Sequence, residues 1–256
     1  MEIFKRVQKS QGVPDPTGKG TCQVIFIRHG ERADLAPEKG VAYDVKNDPP
    51  LTDLGIKQAQ HTGQWLRNYI MEQKFDEIVI ECSPFIRTMQ TASHIAQSIK
   101  HPCVTVKYQY SEWLYPIFYH TNPILELYVR NRPAEEIQKT FLNGQQFTHN
   151  DEEGFNKTAQ IYPEGDLFTN IERIFPTCQQ LLNQYENSGK RVLHLVATHA
   201  ATVKGFTQAF SGKFRKEWCH FCAFSGIEIE GKKWRLIFDE DDRHIKGINL
   251  DERAKL

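Results

Sequence analysis

The run Val24-Ile25-Phe26-Ile27 passes directly into Arg28-His29-Gly30-Glu31-Arg32, and no other stretch restricts the fold as much. Four consecutive apolar residues read as a short buried strand. In open α/β sheets, ligands bind beyond the carboxyl ends of the strands. The strand is therefore expected to deliver a histidine and two arginines to such an edge. Arginine presents a planar fork of donors that matches phosphate oxygens. Neutral imidazole is a nucleophile near neutral pH, because its ordinary pKa is ~6.5. The combination points to phosphoryl chemistry.

The rest of the chain alternates strands with helices. Gly12, Pro14, Pro16, Gly18 and Gly20 mark residues 1–20 as an irregular arm. Residues 32–50 read as a long loop. A helix follows with Thr52 as its N-cap. Ile78-Val79-Ile80 forms a second strand, stopped by Ser83-Pro84, and Phe85 to Ile99 reads as helix. Val104 and Val106 alternate as in a third strand. Residues 113–160 are irregular in pattern. Leu167 to Tyr185 is helical, with Pro176 expected to kink or split it. Arg191–Ala197 is another apolar strand, followed by a helix from about Ala200 to Phe210. Phe221–Glu230 and Lys233–Phe238 read as a terminal hairpin. This order predicts an α/β fold with a mainly parallel sheet. It also predicts a single domain over 21–240, an insertion over one sheet edge at 113–165, and a loose polar tail at 241–256.

Three more places carry candidate residues at strand ends. In Ser83-Pro84-Phe85-Ile86-Arg87, an arginine projects from the first turn of a helix, beside free backbone N–H groups. In Val196-Ala197-Thr198-His199, a histidine follows a strand at once. Glu112, in Ser111-Glu112-Trp113, can bring a carboxylate to the same edge. Taken singly, each also reads as an ordinary surface or structural residue.

Taken together, these segments resemble the histidine phosphatase superfamily, the phosphoglycerate-mutase-like proteins. Arg28-His29-Gly30-Glu31 is similar to its opening signature. Ser83 to Ala92 follows its Ser-Pro-x-x-Arg-x-x-Gln-Thr-Ala pattern, and Leu51 to Ala59 follows Leu-Thr-x-x-Gly-x-x-Gln-Ala. His199 stands at the third signature, with Ala200-Ala201 where the family usually has glycine. Pro163-Glu164-Gly165-Asp166 with Arg173 loosely echoes a Gly-Glu-Ser…Arg helix, with glycine and glutamate transposed, and no role is carried over there. Arg32, the Asp34 that follows it, and Glu112-Trp113 resemble one branch in particular. It holds the phosphatase domain of suppressors of T-cell-receptor signalling and the ecdysteroid-phosphate phosphatases.

The resemblance implies a three-layer α/β/α, phosphoglycerate-mutase-like fold, with residues 113–165 as a cap-like insertion over the active-site edge. It implies a metal-independent phosphomonoester hydrolase with His29 as nucleophile and Glu112 as acid and base. Arg28, Arg87 and His199 would hold the phosphate oxygens, with Arg32 joining them. Nearby arginines should lower the pKa of His29. Glu112 would need the opposite shift. A phosphoglycerate-type mutase and a non-catalytic phosphate-binding module are the competing readings.

Lys+Arg and Asp+Glu both number 32 in a chain of 256 residues, which argues against a global field for nucleic acid or anionic lipid. No apolar run reaches the length of a membrane span. Met1 to Gln8 lacks the apolar core of a secretory signal, and Glu2 stands where myristoylation needs glycine. A cytoplasmic protein is expected, its six cysteines reduced. Asn156-Lys157-Thr158 then reads as an accidental glycosylation sequon. Cys219-His220-Phe221-Cys222 reads as strand, and with no second CxxC it is not taken as a zinc site. No metal or cofactor is expected. The partner is a phosphorylated small molecule or a phosphopeptide, with a homodimer left open. Trp113, Tyr115, Phe118, Tyr119 and Tyr128 either line a pocket for an apolar leaving group or pack the insertion onto the domain.

Overall fold

β1 (Cys22–Arg28) is buried along its whole length, because both faces of the sheet are covered. Its alternate residues enter different cores. Cys22, Val24 and Phe26 pack with Ile174, Cys178, Val203 and Phe206, whereas Ile25 and Ile27 pack with Leu66, Met89 and Ile95. The first set lies on α6 (Leu167–Tyr185) and α7 (Ala200–Ser211), the second on α1 (Asp53–Gln73) and α2 (Ile86–Ile99). The period-2 geometry of one strand thus holds two helix layers together. This computed structural model describes residues 21–35, 48–131 and 134–248, the side chains of Ala134 and Glu136 excepted. The arm expected at residues 1–20, most of the loop at 36–47 and the end of the tail lie outside the described residues.

Among the described residues the sheet has seven strands in the order β4-β3-β2-β5-β1-β6-β7. β2 (Glu77–Cys82), β3 (Cys103–Val106), β4 (Gln146–Thr148) and β5 (Val192–Thr198) run parallel to β1. β6 (Phe224–Glu230) and β7 (Lys233–Asp241) form an antiparallel hairpin on the far side of β1. The fold is α/β, with a mainly parallel sheet between helices. Register brings the parallel strands to a common edge: Arg28 pairs with Thr198, and Cys82 with both Ala197 and Val106. The ladder continues one residue further, through His29 N–H to the Thr198 carbonyl at 2.9 Å and Ser83 N–H to that of Ala197 at 3.0 Å. His29, Ser83 and His199 therefore leave neighbouring strands side by side.

The first turn of α1 is fitted against this edge. Thr52 caps the helix by accepting from Gly55 N–H at 3.0 Å and donates its hydroxyl to Glu31 Oε1 at 2.7 Å. Gln58 Oε1 accepts from Glu31 N–H at 2.8 Å. A Cβ on Gly30 would lie 2.4 Å from the Gly55 carbonyl oxygen, and one on Gly55 only 2.2 Å from that of Glu31. Two facing glycines are what let the helix and the loop after β1 touch.

Four expectations need correction. Residues 113–160 are not irregular: they contain α3 (Pro123–Arg130), α4 (Ala134–Phe141) and α5 (Glu152–Ala159), besides β4. Asn122 caps α3 with Pro123 in its first turn, a start signal that the aromatic pattern obscured. Of the two outcomes expected of Pro176, the split does not occur: α6 runs unbroken from Leu167 to Tyr185. Pro176 and Glu172, the residue four before it, are both exposed, so the proline sits on the solvent side of the helix while Ile171, Ile174 and Cys178 stay buried. The tail is not loose over its described part. Ile245 is fully buried beside Leu51 and Cys222, and His244 stacks on Phe224 at 4.7 Å. Residues 219–222 are not strand but lie in the turn before β6, with Cys222 at φ 56°. Their cysteines are free, and burial pushes both thiols up to about 12. Among the described residues no helix is long and apolar enough to cross a membrane.

Candidate active site

His29 follows β1 and is buried. Its Nδ1 lies 2.7 Å from the carbonyl oxygen of Gly30, which can only accept, so Nδ1 carries the proton and Nε2 keeps the free lone pair. Burial holds its pKa well below the ordinary 6.5, and the charge of Arg87 adds to this, so the ring is neutral at pH 7. The expected direction is met, with desolvation ahead of the arginines as the cause.

His199 is the residue before α7, reached directly from β5. Its ring centroid is 5.4 Å from that of His29. The Ser83 hydroxyl lies 2.8 Å from Nε2, and Glu112 Oε2 lies 3.1 Å from Nδ1. A neutral ring with its proton on Nδ1 satisfies both neighbours, since Ser83 can donate and a carboxylate can only accept. Burial takes this histidine down to about 4, against the opposing pull of Glu112. The alanines that replace glycine here are accommodated because they open a regular helix, where a Cβ meets no strain.

Arg87 is fully buried in the first turn of α2, its Cζ 4.4 Å above the ring of Phe85. It reaches Glu112 Oε2 at 3.4 Å, His199 Nδ1 at 3.3 Å and the Tyr119 hydroxyl at 3.4 Å. Asp48 balances the charge. Its carboxylate lies 3.3 Å from Arg87, pairs with Arg130, and accepts from Ile86 N–H at the start of α2. Arg28 stacks on Phe221 at 4.0 Å and donates to the carbonyl of Cys219, so the 219–222 turn holds it in place.

Glu112 overturns one expectation. Burial would raise its carboxyl, but the neighbouring His199 and Arg87 outweigh burial and hold it well below the ordinary carboxylate range. Arg87 carries the permanent charge, so we assign the effect chiefly to it. Glu112 is therefore ionised at pH 7.

The structure thus brings Arg28, His29, Arg87, Glu112 and His199 together. Arg32 behaves differently: it lines the cavity, but its Nε donates to Asp34 Oδ1 at 2.7 Å and its Nη2 pairs with the other oxygen. Asp48, Arg130 and Ser83 had not been assigned parts. Ser83 was visible in the Ser-Pro pattern, whereas nothing local marks Asp48 or Arg130.

His29, Glu112 and His199 each offer a ligand atom within 4.8 Å of the others, a spacing a cation accepts. The charge of Arg87 beside two of them opposes one. Among the described residues, the Nε–H groups of Arg28 and Arg87 are buried without a protein partner. Such donors suit an oxyanion.

Residues 24–120 match the family model of the histidine phosphatase superfamily (branch 1), a span that holds His29, Arg87 and Glu112. In these residues the chain is similar to that superfamily, and its fold is phosphoglycerate-mutase-like. Among solved structures, the ecdysone phosphate phosphatase of Bombix mori in complex with tungstate is similar in fold. Its TM-score is 0.54 at 19% identity, over 86% of this chain and 93% of that one. A phosphoglycerate mutase from Bacillus anthracis aligns with TM-score 0.55 at 13% identity, over 89% and 96%. A phosphoserine phosphatase from Entamoeba histolytica aligns with 0.51 at 16%, over 88% and 99%. No curated protein matches the sequence.

Proposed function

We propose that the protein is a metal-independent phosphomonoester hydrolase working through a phosphohistidine on His29 Nε2. The observation that carries this reading is the convergence of two buried imidazoles, two buried guanidiniums and one carboxylate at a single strand edge. Arg28, Arg87 and the Nδ1–H of His199 take the three non-bridging phosphate oxygens, where negative charge spreads in the transition state. Nε2 attacks phosphorus in line, and the bond to the leaving oxygen breaks. The dianion draws Arg87 and His199 away from Glu112, which raises the carboxyl's affinity for a proton. Protonated Glu112 gives that proton to the leaving oxygen and later takes one from the attacking water. The guanidiniums supply the positive charge that a metal would otherwise provide.

The cavity above this edge has a volume of about 570 Å³, and its walls include Trp113, Ile117, Phe118, Tyr119 and Trp218. These suit an ester of an apolar alcohol or phenol, phosphotyrosine among them. Asp34 takes up the fork of Arg32, which leaves that wall, among the described residues, without a free cation for a second anionic group. This argues against a phosphoglycerate-type mutase.

Hydrolysis of p-nitrophenyl phosphate and of phosphotyrosine peptides, unchanged by chelator and lost in His29→Ala, is the expected result. Isomerisation of phosphoglycerate without net phosphate release overturns the hydrolase reading. Phosphate binding with no turnover of any ester leaves only a binding module.

A further inference from the structure

We propose that the buried ion pair Glu164–Arg173 positions the proton donor Glu112; this role rests on the hydrolase reading above. Glu112 belongs to no helix or strand. It follows the 3₁₀ turn Tyr108–Tyr110, in a stretch of chain with no ladder of its own. A carboxylate carried this way needs external support to hold its place against a leaving oxygen, and a misplacement of about 1 Å can cost on the order of 10²-fold in rate.

Glu164 and Arg173 supply that support from both sides. Their side chains are 0% and 9% exposed and meet at 2.9 Å, from Arg173 Nε to Glu164 Oε1. Arg173 Nη2 donates to the carbonyl oxygens of Ser111 and Glu112 at 3.0 and 3.1 Å, and Nη1 donates to that of Gln109 at 3.2 Å. Glu164 Oε2 accepts from Leu114 N–H at 2.7 Å, and Glu164 N–H donates to the Leu114 carbonyl at 3.0 Å. The next residue joins in: the carbonyl of Gly165 accepts from the Trp113 indole at 2.9 Å. The backbone from Gln109 to Leu114 is thus tied immediately before, at and after Glu112. Only the carboxylate is left to face the site, its Oε1 accepting from Trp113 N–H at 3.1 Å.

One planar guanidinium serves three carbonyls and a carboxylate at once, which an ammonium cannot reproduce. Neither side chain lines the cavity. Both are positioning residues that act through Glu112.

The test uses two esters with similar aromatic bodies: p-nitrophenyl phosphate, whose leaving group needs little protonation, and 2-phenylethyl phosphate, whose leaving group needs it fully. The parameter is kcat/KM, which reports phosphoryl transfer to His29. Arg173→Lys is expected to lower it about 10²-fold for the alkyl ester and less than about threefold for the aryl ester, as loss of general acid catalysis does. Glu164→Gln, nearly isosteric, should follow the same pattern and gives the comparison if Arg173→Lys does not fold. In a Glu112→Gln background, Arg173→Lys should change neither ester by more than about threefold, because residues acting as one unit are not additive. If Glu112→Gln discriminates between the esters but Arg173→Lys and Glu164→Gln lower both in parallel, or lower neither, the pair is only a structural fastening and the proposal falls alone. If Glu112→Gln itself shows no such discrimination, the acid assignment falls and the proposal with it.

Discussion

At the floor of the cavity, Arg28, His29, Arg87 and His199 are 5, 2, 0 and 0% exposed, while Ile117 and Phe118 at its rim are 70 and 57% exposed. The floor residues leave parallel strands or open a helix, and each is held by partners from distant stretches. The rim comes from the 113–120 segment, where Trp113, Tyr115 and Phe118 pack mainly on one another. The contrast separates two tasks. A buried cation without its partner is costly, so the floor tolerates little change and, in the proposed function, suits the one part common to all phosphate esters, the phosphoryl group. The rim can vary without unfolding anything and suits the variable part, the alcohol.

The hardest blow to the floor is removal of the proposed nucleophile. His29→Ala should lower hydrolysis of any ester on the order of 10⁴-fold or more and abolish the acid-labile phosphoenzyme. A label trapped on another side chain would break the comparison at its base. Next comes Arg87→Gln. It should lower kcat/KM about 10²- to 10³-fold, the typical effect of losing one oxyanion donor. It should also destabilise the fold by about 3 kcal/mol in denaturant unfolding, since the buried Asp48 loses one of the two cations that pair with it among the described residues and keeps Arg130 and the Ile86 N–H. The rim should respond differently. Phe118→Ser is expected to raise KM for aryl phosphates about fivefold, with kcat kept and stability within about 0.5 kcal/mol, as for other exposed positions. A fall in kcat as large as that of Arg87→Gln would merge rim and floor.

The smallest effect sharpens the picture through pH. The pKa of His29 is depressed, so the ring stays unprotonated as pH falls through 6.5, and activity is lost only near the lower value. For p-nitrophenyl phosphate, kcat/KM corrected for the ester's own ionisation should vary less than about twofold between pH 7.5 and 6, a range that spans an ordinary imidazole pKa of ~6.5. A fall centred at that ordinary value would mean a solvated His29 and a wetter floor than the structure has.

The floor was largely legible in the sequence, and the reason is local. β1 and β5 are apolar runs ending in Arg28-His29 and in His199, and the stop at Ser83-Pro84 places Arg87 in a first turn. Thr52 and Gly55 announce the start of α1 through capping rules that span three residues. The short helices of residues 113–160 were harder to read, because eight residues hold only two turns of periodicity.

Strand ends, helix starts and the identity of the reactive groups follow from each residue and its near neighbours, so the amino-acid order determined them by itself. The ionised state of Glu112, the Asp48–Arg130 balance behind Arg87, the fork of Arg32 turned to Asp34 and the grip of Glu164 and Arg173 were decided only in three dimensions. Each of these depends on distance and burial between groups far apart in the chain, and electrostatic energy responds to both, whatever the separation along the backbone.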